Sequence, residues 1–217
     1  PMSSSSAPGA SASRGDIVVE VYGRSDVGRA REHNEDAFAV ADLTTGAVTL
    51  VAEARTYKVG ERGLLFMVAD GMGGAAAREL ARAMAVEVVL DELKARWAAS
   101  SRHDPDAFAS GLRTSTETAN ARIHRFAAEH PEHRGMGTTA TIAGLLGDTL
   151  YLAQVGDSRA YLVRDGVAKQ ITKDQSLMQK LIEAGELTEE EAAQSERRNI
   201  ILQALGPEPA IKVDLTH

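Results

Sequence analysis

The run Gly63-Leu64-Leu65-Phe66-Met67-Val68-Ala69 breaks off at Asp70-Gly71-Met72-Gly73-Gly74, and a long helical pattern starts directly behind it. The run has the length and apolar content of a buried strand. The glycine cluster is expected to stop it, because glycine weakens a strand interior. A carboxylate at the buried end of a strand costs several kcal/mol unless a positive charge offsets it. A divalent cation at the sheet edge would do so, with backbone carbonyls of the glycine segment as further oxygen donors. A tight strand-to-helix turn with Asp70 as the cap is the competing reading. A phosphate-cradling loop of the Walker kind is disfavoured, since no Gly-Lys-Ser/Thr follows.

Ahead of this junction, β-branched and apolar residues at Ile17 to Tyr22, Ala37 to Leu43 and Val48 to Val51 predict further strands. Behind it, Leu80, Met84, Val86, Val89, Leu90, Leu93 and Trp97 fall largely on one helical face. A second helix opens with Asp104 as cap and Pro105 at its first position, and carries Phe108, Leu112, Ala119, Ile123 and Phe126 along one stripe. From Thr138 to Thr172 short strands are punctuated at Gly147-Asp148, Gly156-Asp157-Ser158 and Asp165-Gly166. The last is the signal of a type I′ hairpin, so an antiparallel meander is expected. Short helices follow, opened by capping-box patterns at Ser176 with Gln179 and at Thr188 with Glu191, and Gly185 is the stop between them. Residues 1–15 are small and polar and predict a flexible tail, and 16–217 read as one domain. Strands, long helices and a meander in that order make an α+β domain in which helices cover antiparallel sheets.

A chain of 217 residues has room for one sizeable core. Its 24 basic and 31 acidic residues give a net charge of -7, which argues against broad attraction to nucleic acid or anionic lipid. An anionic substrate must therefore be captured locally. The absence of cysteine excludes disulfides, thiolate metal sites and cysteine nucleophiles. No apolar stretch approaches the length of a membrane span and no leader pattern opens the chain, so a cytoplasmic protein with no nucleic-acid or membrane partner is expected.

Arg31-Glu32-His33-Asn34-Glu35-Asp36 begins a strand. Neighbouring residues there point to opposite faces, so of Glu35 and Asp36 one can be a metal ligand and the other a supporting group. Alone, this cluster reads better as a solvated charge run. Gly156-Asp157-Ser158-Arg159 is also ordinary turn vocabulary. Gly135-Met136-Gly137-Thr138-Thr139 carries no group suited to acid–base work and is expected to pack.

In combination and order the segments say more. Arg31 ahead of Asn34-Glu35-Asp36, then Asp70 to Gly74, Met136-Gly137-Thr138-Thr139, Gly156-Asp157-Ser158-Arg159-Ala160-Tyr161 and Asn199 to Gly206 resemble successive motifs of bacterial PPM (type 2C) protein serine/threonine phosphatases. The resemblance runs from about residue 17 to the end. It implies a four-layer α/β/β/α sandwich of two mainly antiparallel sheets covered by helices. It also implies hydrolysis of phosphoserine and phosphothreonine in proteins by a metal-activated water, with Mn²⁺ or Mg²⁺ as a pair of ions and in bacterial members a weaker third. Asp36 and Asp70 match the carboxylates on the pair, Asp70 as the bridge, and Gly71 matches the position that offers its backbone carbonyl. Glu35 matches the acidic group that orients the water, and Arg31 the arginine that grips the substrate phosphate, a task suited to a planar fork of donors. Asp157 matches a ligand of the third ion, and residues 175–198 correspond to a flap that influences substrate choice. Phosphoproteins and a cognate kinase are the implied partners. Paired hard cations about 4 Å apart would lower the pKa of a shared water and offset charge on the phosphoryl oxygens. No protein nucleophile is needed, in keeping with a chain that has no cysteine, and oxygen ligands suit such ions better than zinc.

The chain departs from the family's pattern in places. Ala75 stands where bacterial relatives carry a histidine expected to assist the leaving group, help worth about 10²–10⁴ in rate. His124, His130 and His133 take no catalytic role in this reading, because lone histidines near a helix end are more often solvated or capping groups. The family also continues past Ile211-Lys212-Val213-Asp214-Leu215 into strands bearing Ser-Asp-Gly and Asp-Asn motifs, and Asp214 matches neither. The chain is expected to supply part of the ligand set and to leave sheet edges open to pairing with another chain. A catalytically inactive regulatory or phosphoprotein-binding module is the alternative expectation, and nucleotide binding at the glycine loop ranks below both. The stretch Thr44 to Glu61 is longer than these strands require.

Overall fold

Alternating and helical hydrophobic periods resolve into strands and helices in the computed structural model, which describes residues 16–29, 34, 36–99 and 104–217. Strands β1 (Val18–Tyr22), β2 (Asp36–Asp42), β3 (Val48–Thr49), β4 (Ala54–Lys58) and β5 (Leu64–Met72) lead into helices α1 (Ala75–Ala99) and α2 (Pro105–Glu129). After a short 3₁₀ turn come β6 (Gly137–Thr138), β7 (Ala140–Leu146), β8 (Thr149–Val155), β9 (Tyr161–Arg164), β10 (Val167–Gln170), α3 (Leu177–Glu183), α4 (Glu189–Gln194) and β11 (Asp214–Thr216). Strands β11, β8, β7, β5, β2 and β3 lie side by side in that order, and β6 extends the sheet along β5; β1 with β4 and β9 with β10 form separate antiparallel ribbons. The outermost strands, β3 and β11, are two and three residues long.

Register sorts side chains onto two faces. The rows Ala39/Met67/Ile142/Ala153 and Ala41/Leu65/Gly144/Tyr151 belong to the core shared with α1 and α2. Between them, Phe108 of α2 sits with its ring centroid 5.4 Å from Trp97 and 5.5 Å from Tyr151, and Gly144 is there because any side chain would meet that ring. Each such aromatic pair adds about 0.5–1.5 kcal/mol beyond burial. The opposite face carries Asp36/Asp70, Phe38/Val68/Thr141/Gln154 and Val40/Phe66/Ala143/Leu152. Just past β1, Gly23 lies against the Phe38 ring of this face with no room for a side chain, while Val68 stays 43% exposed.

Local signals mostly act as their chemistry requires. Asp104 caps α2 by accepting from the Asp106 amide at 2.8 Å, with Pro105 at the first position. Asp165 (φ 53°) and Gly166 (φ 75°) form the β9–β10 turn with both residues left-handed, as type I′ demands. Thr188 and Glu191 make a reciprocal capping box. At Ser176 only half of one forms, because the Gln179 amide turns to Glu183 instead of back to the cap. The segment bearing α3 and α4 leaves and returns at a single bridge: Leu177 N–H donates to the Ile200 carbonyl (3.0 Å) and Leu202 N–H to the Gln175 carbonyl (2.8 Å).

The glycine cluster does not stop β5 at Asp70. The strand runs on to Met72 and pairs Gly71 with Thr138 and Met72 with Gly137. Gly71 is required for a different reason, since a Cβ there would fall 2.8 Å from the Arg78 carbonyl oxygen where α1 crosses above. The chain turns away only at Gly73, φ +110°. The stretch Thr44 to Glu61 is also not surplus: it holds β3 and β4, and β4 is the partner of β1. The predicted tail lies outside the described residues. Among the described residues no helix is long and apolar enough to cross a membrane.

Candidate metal centre

Strand β2 begins where β5 nears its end, and the register sets Asp36 directly opposite Asp70. Directly opposed Cα atoms in such a ladder are about 5 Å apart and their side chains share a face, here the face turned away from the helices. Like charges so placed repel, and an ion between them turns the repulsion into attraction. Asp36 is exposed, Asp70 half-buried and Gly71 buried beside it.

Both strand ends are held through their backbones. The Asp36 amide donates to Asn34 Oδ1 (2.9 Å), and Arg82 Nη1 on α1 donates to the carbonyls of Asn34 and Asp36, each at 3.0 Å. The Asp70 amide donates to Thr139 Oγ1 (3.0 Å), while its carbonyl accepts from Thr138 Oγ1 (3.0 Å) and the Thr139 amide (2.9 Å). Thr139 Oγ1 is in turn 2.7 Å from Ser158 Oγ, and the Ser158 carbonyl accepts from Thr141 Oγ1 (2.9 Å) and Gln154 Nε2 (3.3 Å). Gly156, at φ +107°, packs its Cα on the Thr139 methyl. The segment Gly135 to Thr139, expected to pack, does so through Met136 in the core, and its Thr138 and Thr139 also form a polar belt joining the Asp70 strand to the Asp157 loop. Thr139, Ser158 and Arg82 are the supporting residues that sequence reasoning missed; the adjacent threonines of a strand start were the available signal.

Asp157 lies at the same end of the sheet on the far side of this belt. Burial pushes its carboxyl above the ordinary carboxylate range and the negative charge of Asp174 adds to this, against opposing pulls from its own backbone amide and, more weakly, from Arg159. Arg159 grips Asp174 through Nε (2.9 Å to Oδ1) and Nη2 (2.6 Å to Oδ2), and that bond chiefly raises its own pKa. These residues form one wall of a cavity of about 600 Å³ whose other wall is Gln179, Ala192 and Arg198.

Asp36 and Asp70 therefore meet at one rung with Gly71 next in β5, and Asp157 stands apart from them; among the described residues no three His, Asp or Glu side chains converge as a ligand cluster. Arg31 and Glu35 lie outside the described residues. Two of the histidines are otherwise engaged, His124 Nδ1 lying 2.8 Å from the Gly206 carbonyl and His130 Nδ1 2.9 Å from that of Phe126, while His133 Nδ1 is buried without a hydrogen-bond partner among the described residues. An opposed carboxylate pair with an adjacent backbone carbonyl and no soft donor fits a hard divalent cation.

The family described as Protein phosphatase 2C matches residues 39–181. A serine/threonine phosphatase stp of Listeria monocytogenes is 35% identical over 191 residues, covering 88% of this chain and 68% of its own. The serine/threonine protein phosphatase PstP of Mycobacterium tuberculosis is 34% identical over 193 residues, 87% of this chain and 31% of its own. Among solved structures, serine/threonine phosphatase Stp1 from Staphylococcus aureus superposes with a TM-score of 0.74 at 30% identity, over 97% of this chain and 74% of that one. The catalytic domain of PstP in complex with two manganese ions gives 0.68 at 32% identity, over 92% and 72%. Motif order, a sheet that opposes its carboxylates, and agreement with these proteins along most of the sequence lead to one conclusion: the chain belongs to the protein phosphatase 2C family.

Proposed function

We propose that the protein hydrolyses phosphoserine and phosphothreonine esters of other proteins at the rung where Asp36 faces Asp70. That cross-strand opposition is the observation that carries the reading. Asp36 and Asp70 would hold paired Mn²⁺ or Mg²⁺ ions together with the Gly71 carbonyl, and Asp157 a further one. When bound, such ions lower the pKa of water and offset charge on the phosphoryl oxygens. The chain's own residues do the rest. Arg82 and Thr139 fix the two strand ends so that the carboxylates need no rearrangement. Arg31 is assigned to the phosphate and Glu35 to orienting the attacking water. The segment 175–198 borders the cavity beside Asp157 and is assigned to substrate choice. A cytoplasmic setting, a kinase acting on the same phosphoproteins, and a second chain along the β11 edge complete the proposal.

The test is release of phosphate from a phosphothreonine peptide with Mn²⁺ or with EDTA, in the protein and in Asp36→Ala and Asp70→Ala. Release should require Mn²⁺ and fall by at least about 10²-fold in either variant. Release that persists in EDTA, or in both variants, would overturn the reading.

A further inference from the structure

A groove of about 550 Å³ runs along α1 beside the β2–β3 edge, away from the flap. Its floor is apolar, from Ala37, Phe38, Val48, Ala83 and Val86, and Leu50 stands 59% exposed at its lip. Asp36 is among its lining residues, so the groove reaches the strand end that carries one of the two opposed carboxylates. Its outer wall carries Glu79, Glu87 and Asp91, all exposed along one side of α1 with Ala83 on the turn between the first two. None of the three is ion-paired among the described residues; the ion pairs on this part of α1 run from Glu92 to Arg96 and Arg122. The basic groups do not cancel them. Arg82 is committed to the backbone of β2, and Lys94 sits at the far end.

We propose that this groove docks the polypeptide flanking the phosphorylated residue, and that it selects apolar side chains interspersed with lysine or arginine. The proposal rests on the phosphatase reading above, because Asp36 is what places the phosphorylated residue at the groove's mouth. Charge complementarity sets the chemistry of the occupant: an apolar trough with unpaired carboxylates on its rim attracts cations and repels acidic flanks. From Glu79 to Lys94 the helix rises about 22 Å, which accommodates about six or seven extended residues.

The experiment measures binding, so it does not depend on turnover. Fluorescence anisotropy with Mn²⁺ present would compare labelled phosphothreonine peptides flanked by Leu and Arg with the same peptides carrying Glu for Arg, and with unphosphorylated versions. The basic-flanked peptide should bind at least about tenfold tighter, and the doubly changed Glu87→Lys/Asp91→Lys protein should lose that preference at low salt. Leu50→Asp, also at an exposed position, should weaken both phosphopeptides. Hydrolysis of p-nitrophenyl phosphate should be unchanged in all these variants, since so small a substrate cannot reach the groove. Equal affinity for basic and acidic flanks, or a preference that survives the charge reversals, would overturn the docking site whatever the hydrolysis shows. So would self-association through this face, seen as a mass that doubles with concentration and reverts in Leu50→Asp. Loss of Mn²⁺-dependent hydrolysis from the unchanged protein, with the flank preference intact, would count against the catalytic reading alone.

Discussion

Asp36 and Asp70 face each other across the outermost rung joining β2 and β5, on the side of the sheet turned away from the helices. Without a cation, like charges directly opposed across a rung repel one another. Replacing Asp36 by Asn should therefore raise stability in EDTA by about 0.2–1 kcal/mol, the range for a cross-strand pair. The same change should nearly abolish the rise in Tm that Mn²⁺ gives by binding the folded state. Thermal unfolding of both proteins with and without Mn²⁺ checks this, and a variant that melts lower in EDTA yet keeps the full Mn²⁺ shift would contradict it.

Thr139 serves the Asp70 backbone rather than any ligand. Thr139→Val keeps the shape but leaves the Asp70 amide without its acceptor and Ser158 without its partner. A loss of about 1–3 kcal/mol is expected in urea unfolding, together with weaker Mn²⁺ stabilisation as the β5 end loosens. Thr139→Ser should restore most of both, whereas a purely steric role for the threonine would make serine the worse replacement.

Gly71 is set by crowding. Alanine there would put a Cβ 2.8 Å from the Arg78 carbonyl oxygen and 2.9 Å from Arg78 Cβ, where neither neighbour is the free end of a side chain. Overpacking of this kind costs about 1–3 kcal/mol. The change should also displace the Gly71 carbonyl, so the Mn²⁺ requirement for half-maximal activity should rise. Unfolding midpoints and a metal titration read the two effects separately.

Asp157 predicts a pH dependence of definite sign. Burial, helped by Asp174, lifts its carboxyl above the ordinary 3.8, so the folded state holds that proton more tightly than the unfolded chain does. Its contribution to stability is present at low pH and is lost as pH rises through the elevated folded-state pKa. In EDTA, Asp157→Asn should match the unchanged protein in acid and become more stable as pH approaches neutrality. Urea unfolding at acid and neutral pH measures the difference, and a variant less stable at neutral pH would refute the sign.

Much of this was legible beforehand because it depends on short-range chemistry. Asp104 with Pro105, Asp165 with Gly166, and Thr188 with Glu191 each fix their own turn or cap, and the structure forms all of them. Asp36 and Asp70 were legible as carboxylates at strand ends, but not as rung partners, since register is set by pairing between segments far apart in sequence. Thr139 and Ser158 were harder still, because a hydroxyl's role lies wholly in what the fold brings to it. Gly71 misled in the other direction: glycine inside a strand usually signals a break, and here it makes room for α1.

The single bridge at Ser176 and Ile201 has an evolutionary corollary. Both feet of that excursion are stapled backbone to backbone, and the chain beyond it is anchored again where Asn120 holds the Gly206 amide and the Glu208 carbonyl. Whatever lies between the feet can be lengthened, trimmed or exchanged as a cassette while the closure geometry stays constant, since loop-closure entropy changes only slowly with length. That segment can thus change in length or sequence while the carboxylate rung stays untouched.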